Sequence, residues 1–254
     1  MKVVQQSWWI FFVFMAVISC SSSIGDTTVQ LRITSDPAST TIGNALVGGD
    51  VQITLAKVVV SDVEFERSEN CALDDAGETE IEYEGPYVVN LLTQKSYPSL
   101  NEVVLAKGHY CEFKFSLEKL NVDEVPTGVD SNDEIIEASM YIEGTYHSTT
   151  PLIVRLEEDE SFEMESESSH GLNLSVGEAN TLFLMFDLSK LFEGVDLSVL
   201  DLDAGTIVID KNHNQTAYQL VRKNIKTFSK LFKDSNDDDE LDDDDDTIAT
   251  PIGS

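Results

Sequence analysis

The chain has 254 residues, of which 47 are Asp or Glu and 16 are Lys or Arg, for a formal charge of −31. That sign excludes a nucleic-acid surface, since binding to a phosphate backbone rests on Lys and Arg, and it makes divalent cations the natural counter-ions. A hydrophobic share of 41% suffices for a packed core and excludes wholesale disorder.

The leader comes first in chain order. Lys2 precedes an unbroken apolar run over residues 8–18, shorter than the ~20 residues a membrane span takes. A positive start, a short apolar core and a small residue before a cut site make the pattern of a secretion signal. Val17-Ile18-Ser19-Cys20 resembles the lipobox of bacterial lipoproteins, in which the Cys is acylated and becomes the new N-terminus. The resemblance implies a signal peptide over 1–19, lipidation of Cys20, and a tether over 20–27 that opens with Ser21, Ser22 and Ser23. Ser21, a residue other than Asp after the Cys, implies the outer membrane as the address. With Cys20 lipidated, Cys71 and Cys111 are left as a pair in an oxidising compartment, and a disulfide between them is expected.

Residues 28–33 read as a strand. Val51 to Arg67 alternates, with Val51, Ile53, Leu55, Val59, Val63 and Phe65 on one face, hence β. Lys57 and Ser61 interrupt that face, which predicts a bend or two strands. Residues 70–80 read as a polar loop carrying Cys71, Gly85-Pro86 as a break, and 87–92 as a short buried strand. In 109–120, Cys111, Phe113, Phe115 and Leu117 share one face, and Glu112, Lys114, Ser116 and Glu118 the other. Residues 136–142 predict a half-buried strand and 152–165 its hairpin partner, with Glu157-Glu158-Asp159-Glu160 as a tight acidic turn. Further short strands are expected over 172–176, 181–186 and 206–209. From Asn214 to Lys233 the period changes: Ala217, Leu220, Val221, Phe228, Leu231 and Phe232 recur at three and four, the spacing of an amphipathic helix with Asn214 as N-cap. Its polar face collects Arg222, Lys223, Lys226, Lys230 and Lys233, which reads as a solvated face. Residues 234–246 are almost purely acidic, and 247–254 read as a loose end.

Short alternating strands with Gly and Pro turns predict a mainly β fold, an antiparallel β-sandwich of Ig-like or transthyretin-like kind, over 28–212. The C-terminal amphipathic helix would follow over 213–233 and an acidic tail over 234–254. The long strand Val51–Phe65, Tyr87–Leu92, and Lys107-Gly108-His109-Tyr110 opening a strand resemble β-sandwich lipoproteins of Gram-negative bacteria. Tyr141–Tyr146, Asn224-Ile225-Lys226 and Phe232-Lys233-Asp234 fit the same group. This resemblance implies fold and address and no activity.

No zinc, nucleophile-elbow, phosphate-loop or dinucleotide motif occurs in the sequence. His109, His147, His170 and His213 are scattered without ligand spacing and read as turn or surface residues. The segment from Asp234 begins like a calcium loop, with Asp234, Asn236, Asp238, Glu240, Asp242 and Asp245 as candidate ligands. It resembles EF-hand and thrombospondin-type loops but departs from them: Asp239 stands where the loop glycine belongs and Asp245 where a bidentate Glu belongs. A plain solvated acidic tail is the competing reading. Calcium is therefore the one candidate cofactor, beside the reading in which there is none. Two functional classes follow. One is a lipid-anchored envelope module that binds a protein or polysaccharide; the other is a secreted enzyme, or an accessory domain of one, acting on an extracellular polymer. A sandwich without a catalytic motif favours the first.

Overall fold

The computed structural model describes residues 26–36, 40–41, 44–47, 51–68, 71, 78–166, 171–175, 179–236, 238–242 and 244–252. Its strands, in chain order, are β1 (Asp26–Ser35), β2 (Thr40–Thr41), β3 (Asn44–Val47), β4 (Val51–Arg67), β5 (Glu78–Asn90), β6 (Lys95–Tyr97), β7 (Val103–Ala106), β8 (Gly108–Leu117), β9 (Met140–Tyr146), β10 (Thr150–Leu156), β11 (Glu160–Ser166), β12 (Leu172–Leu174), β13 (Ala179–Phe186), β14 (Leu202–Asp203), β15 (Thr206–Ile209), β16 (Ser229–Lys233) and β17 (Asp246–Pro251). One helix, α1 (Gln215–Thr227), joins β15 to β16.

The fold is mainly β and sandwich-like with one helix, and β4 is its spine. Val51 to Val58 pairs with β9, and Val60 to Arg67 with β8, both antiparallel. One uninterrupted strand therefore feeds two sheets. Pairing runs from β9 to β10, β15 and β14 on one side. On the other it runs from β8 to β11, β17, β16, β13, β1 and β7. The bend expected near Lys57 and Ser61 is the point where β4 changes partner, and register shifts lie between Val60 and Val63. Extra residues at such bulges bend a strand and increase its twist.

β5 runs through Gly85-Pro86, where the sequence predicted a break. Gly85 is required there: a Cβ would lie 2.4 Å from the Val60 carbonyl oxygen and 2.6 Å from that of Ser61. A Gly85→Ala variant is expected to lose about 1–3 kcal/mol through overpacking, read as a lower urea midpoint at unchanged slope; no shift would mean that the bulge has room.

The apolar residues of the two sheets meet in one core. Phe65 packs edge-on against Tyr110 and Phe113, and Phe115 stacks on Phe162 at 4.2 Å between ring centroids. A separate cluster of Val59, Val88, Leu120, Ile135, Ala138 and Tyr141 forms where the segment 118–139 covers the outer face of β4, β5 and β9.

The expected β-sandwich with one helix is the fold, and it includes two parallel pairs, β1 with β13 and β10 with β15. Four local expectations are corrected. Residues 152–165 are not one hairpin partner; the turn at 157–159 carries the chain from the β10 sheet to the β8 sheet. The helix ends at Thr227, and Ser229–Lys233 is a strand between β13 and β17. Residues 246–251 are not a loose end but that neighbouring strand, which also pairs with β11. The sheet thus extends well past residue 212. Asn214 does not cap the helix by its side chain: it adopts φ 51°, and its amide instead donates to the Asp201 and Val208 carbonyls.

Candidate functional site

Residues 234–245 are the candidate site, and they are built into the sheet on both sides, between β16 and β17. Asp234 is 2% exposed, its N–H donating to the Thr181 carbonyl and its carboxylate accepting from the Asp239 N–H at 2.9 Å. Leu241, the one large apolar residue in the acidic run, packs with Phe183, Met185 and Phe232 on the outer face of β13 and β16. Arg32 on β1 meets the Asp239 carboxylate at 3.0 Å and its carbonyl at 3.1 Å. A buried leucine and a cross-sheet ion pair thus lay the acidic segment over the sheet, where composition alone predicted a tail.

Within the segment, short polar side chains turn back on the backbone. Asn236 accepts from the Asp238 N–H, Asp238 from the Glu240 N–H, and Asp242 from the Asp244 N–H. Asp245 accepts from the N–H groups of Ser235 and Asp242 through its two oxygens. All six candidate calcium ligands are therefore described. Among the described residues no group of three or more His, Cys, Asp or Glu side chains is gathered as a metal set. The backbone does supply the turn that the sequence lacked: Asp239, in the glycine position, has φ 66°. Asp and Asn enter this left-handed region more readily than most residues.

The basic face of α1 is solvated only in part: Lys223 is exposed, but two of its neighbours have a buried partner. Arg222 and Lys226 both pair with Glu160, whose side chain is 2% exposed, and Arg222 also reaches Glu158. The Lys226 ammonium lies 5.9 Å from the Phe162 ring centroid. The helix is held from its other side by Asn224, whose amide donates to the Leu191 and Glu193 carbonyls. Lys230 and Lys233 sit on β16 instead. Nothing in the sequence separated Glu160 from its many acidic neighbours.

On the outer face of the β8 sheet, Lys114 is surrounded by Glu112 at 2.9 Å, Glu163 at 3.4 Å and Glu66 at 3.6 Å. The hydrogen bond to Glu112 raises its pKa well above the usual lysine range, against an opposing effect of burial, and the other two carboxylates add to the rise. His213 hydrogen-bonds Asp210 at 3.0 Å, which raises the imidazole pKa in an exposed turn. His109, His147 and His213 form no shared site; His170 lies outside the described residues, as does Cys20.

Cys71 and Cys111 form the expected disulfide. Cys111 is half-buried rather than on the core face. A register shift between Glu66 and Arg67 opposite it puts Tyr110 into the core instead. A small space in the core is lined by apolar residues, among them Leu31, Val63, Phe113 and Met164. Among the described residues no helix is long and apolar enough to cross a membrane.

No family model matches the chain, and no curated protein matches it. Among solved structures, MbnP from Methylosinus trichosporium is similar, with 13% identity over 71% of this chain and 82% of that one and a TM-score of 0.40. A likeness of that degree carries no functional argument.

Proposed function

We propose that the protein is a lipid-anchored module of the bacterial cell envelope that binds a protein or polysaccharide partner while held at the outer membrane by Cys20. The observation that carries this reading joins sequence and fold. The lipobox cysteine stands only six residues before Asp26, where β1 enters the sheet, so the anchor precedes the folded domain by a short polar tether. The disulfide agrees with an oxidising compartment. One acyl chain holds a membrane only marginally, so stable anchoring takes more than one. A Cys20→Ala variant is expected to remain unprocessed or to leave the detergent phase in phase partitioning. A variant that is processed normally and still partitions into detergent would remove Cys20 as the anchor.

A second reading, calcium held by the segment 234–245, is favoured by the left-handed turn at Asp239 and by the buried Asp234 carboxylate that accepts its N–H. Asp234, Asn236, Asp238, Asp242 and Asp245 would supply side-chain oxygens, with Glu240 a candidate through its own, and the cation would neutralise a run of like charges. Several of these oxygens accept hydrogen bonds within the loop, so weak affinity is expected, toward the 10⁻⁴–10⁻³ M range of extracellular sites. Truncation after Lys233 would strip β17 from the sheet; an Asp238→Ala and Asp242→Ala variant is the cleaner comparison. Calorimetric titration should give heat with the native protein and none with the variant. Equal heats would place any binding elsewhere.

A further inference from the structure

We propose that the open edge of β14 is a docking site for an extended partner segment in which basic and apolar residues alternate, added to the sheet as a further strand. This rests on the binding-module reading above, names the chemistry of the partner, and is independent of the anchor at Cys20.

A tight hairpin builds the edge. β14 and β15 are joined by Ala204 and Gly205, with φ 48° and 89°. Two positive-φ residues in a two-residue connection make a type I′ turn. Asp203 and Thr206, which flank it, exchange the first ladder hydrogen bonds, so the next pair, Leu202 and Ile207, is a non-hydrogen-bonded one. The Leu202 N–H and C=O therefore point out of the hairpin, toward the side where β14 has no strand partner among the described residues. One position further on, a side chain replaces the backbone ladder. The Asn214 amide donates to the Asp201 and Val208 carbonyls at 3.0 and 2.8 Å and accepts from the Asp201 N–H at 3.0 Å. β14 is thus fixed from inside, with its outward groups held in extended geometry.

The side chains select the occupant. Residues directly opposite in a ladder share a face, so Leu202 lies on the side of Ile207, which is 2% exposed in the core. Leu202 itself is 57% exposed, and Val199, shortly before it, is 72% exposed. The core runs out to this rim and stops uncovered. Asp201 and Asp203, one residue to either side of Leu202, take the other face and are exposed. An added strand would set an apolar residue beside Leu202 and its two neighbours beside the carboxylates, where lysine or arginine is favoured. In strand addition, main-chain bonds give affinity and alternate side chains give specificity. A second copy of the chain is the wrong occupant. Paired antiparallel about Leu202, it would set each Asp201 opposite an Asp203, and like charges directly opposite are destabilising.

The test uses the full-length protein and two short fluorescein-labelled peptides, one alternating lysine with valine and the other glutamate with valine. Anisotropy is expected to show saturable binding of the lysine peptide, with hydrogen exchange of the Leu202 amide slowed at saturation. Leu202→Pro removes the outward donor, a change that an edge strand tolerates. It should weaken binding about tenfold, as for one hydrogen bond lost with its partner group left unmatched. Asp201→Lys combined with Asp203→Lys keeps the edge and should move the preference to the glutamate peptide. Absence of binding, equal binding by the Leu202→Pro variant, unchanged exchange at Leu202, or a charge-reversed variant that still prefers lysine would each overturn the site. Self-association of the protein that Leu202→Pro abolishes would overturn the basic partner in favour of a second copy. Phase partitioning of the Cys20→Ala variant reads the anchor separately, so neither failure implies the other.

Discussion

Replacing Cys71 and Cys111 together by alanine is expected to lower the stability of the domain by about 4 kcal/mol. The two residues are 40 apart in sequence, and removing a cross-link over a loop of that length returns roughly this much chain entropy to the unfolded state. The bond also joins position 71, beyond the end of β4, to the start of β8, where the two strands are already paired. Gly171 makes room for it: φ is +67°, and a Cβ there would lie 2.7 Å from the Cys71 sulfur and 2.4 Å from the Tyr110 carbonyl oxygen. Urea unfolding of oxidised and double-alanine proteins measures the difference. A loss below about 1 kcal/mol would mean that the denatured chain keeps this region together without the bond, a known departure from the chain-entropy account.

Glu160→Ala is expected to cost about 3 kcal/mol, and the helix should respond first. Glu160 lies at the start of β11 with its side chain almost wholly buried, and its two cationic partners come from successive turns of α1. Removing one member of a buried ion set leaves the others uncompensated, which costs roughly 3–5 kcal/mol; Arg222 and Lys226 are partly exposed, 24% and 43%, so the lower end applies. Hydrogen exchange should show α1 amides opening before those of β4. Glu160→Gln, which keeps the shape and one of the two acceptor oxygens, should lose less. If Glu160→Ala costs under about 1 kcal/mol, the set behaves as exposed pairs do, and the helix is held by Tyr218, Val221, Asn224 and Ile225 alone.

What could be read in the sequence was whatever a period records. The alternation of Val51 to Arg67 and of Phe113 to Leu117 gave the spine and its neighbour, because half-buried strands write their two faces into every second residue. Counting cysteines gave the disulfide. The end of the helix was hidden because Phe228, Leu231 and Phe232 satisfy helical spacing while Ser229, Leu231 and Lys233 also alternate, and the tertiary pairing with β13 decided the matter. β17 was hidden by its shortness and by the acidic run before it. In that run one leucine settles the placement of the segment, and a single apolar residue has no period. Glu160 was unreadable for the opposite reason: in a chain with 47 acidic residues, a buried one looks like the rest.

The start of β1 stands six positions after the lipobox cysteine in sequence, and the disulfide fits an oxidising compartment; the account therefore turns on Cys20. The most direct measurement is the mass of the N-terminal peptide of the protein isolated from the membrane fraction. The account predicts a peptide that begins at Cys20 and carries more than one acyl chain. A peptide with an unmodified Cys20, or one that begins at a different residue, would contradict it.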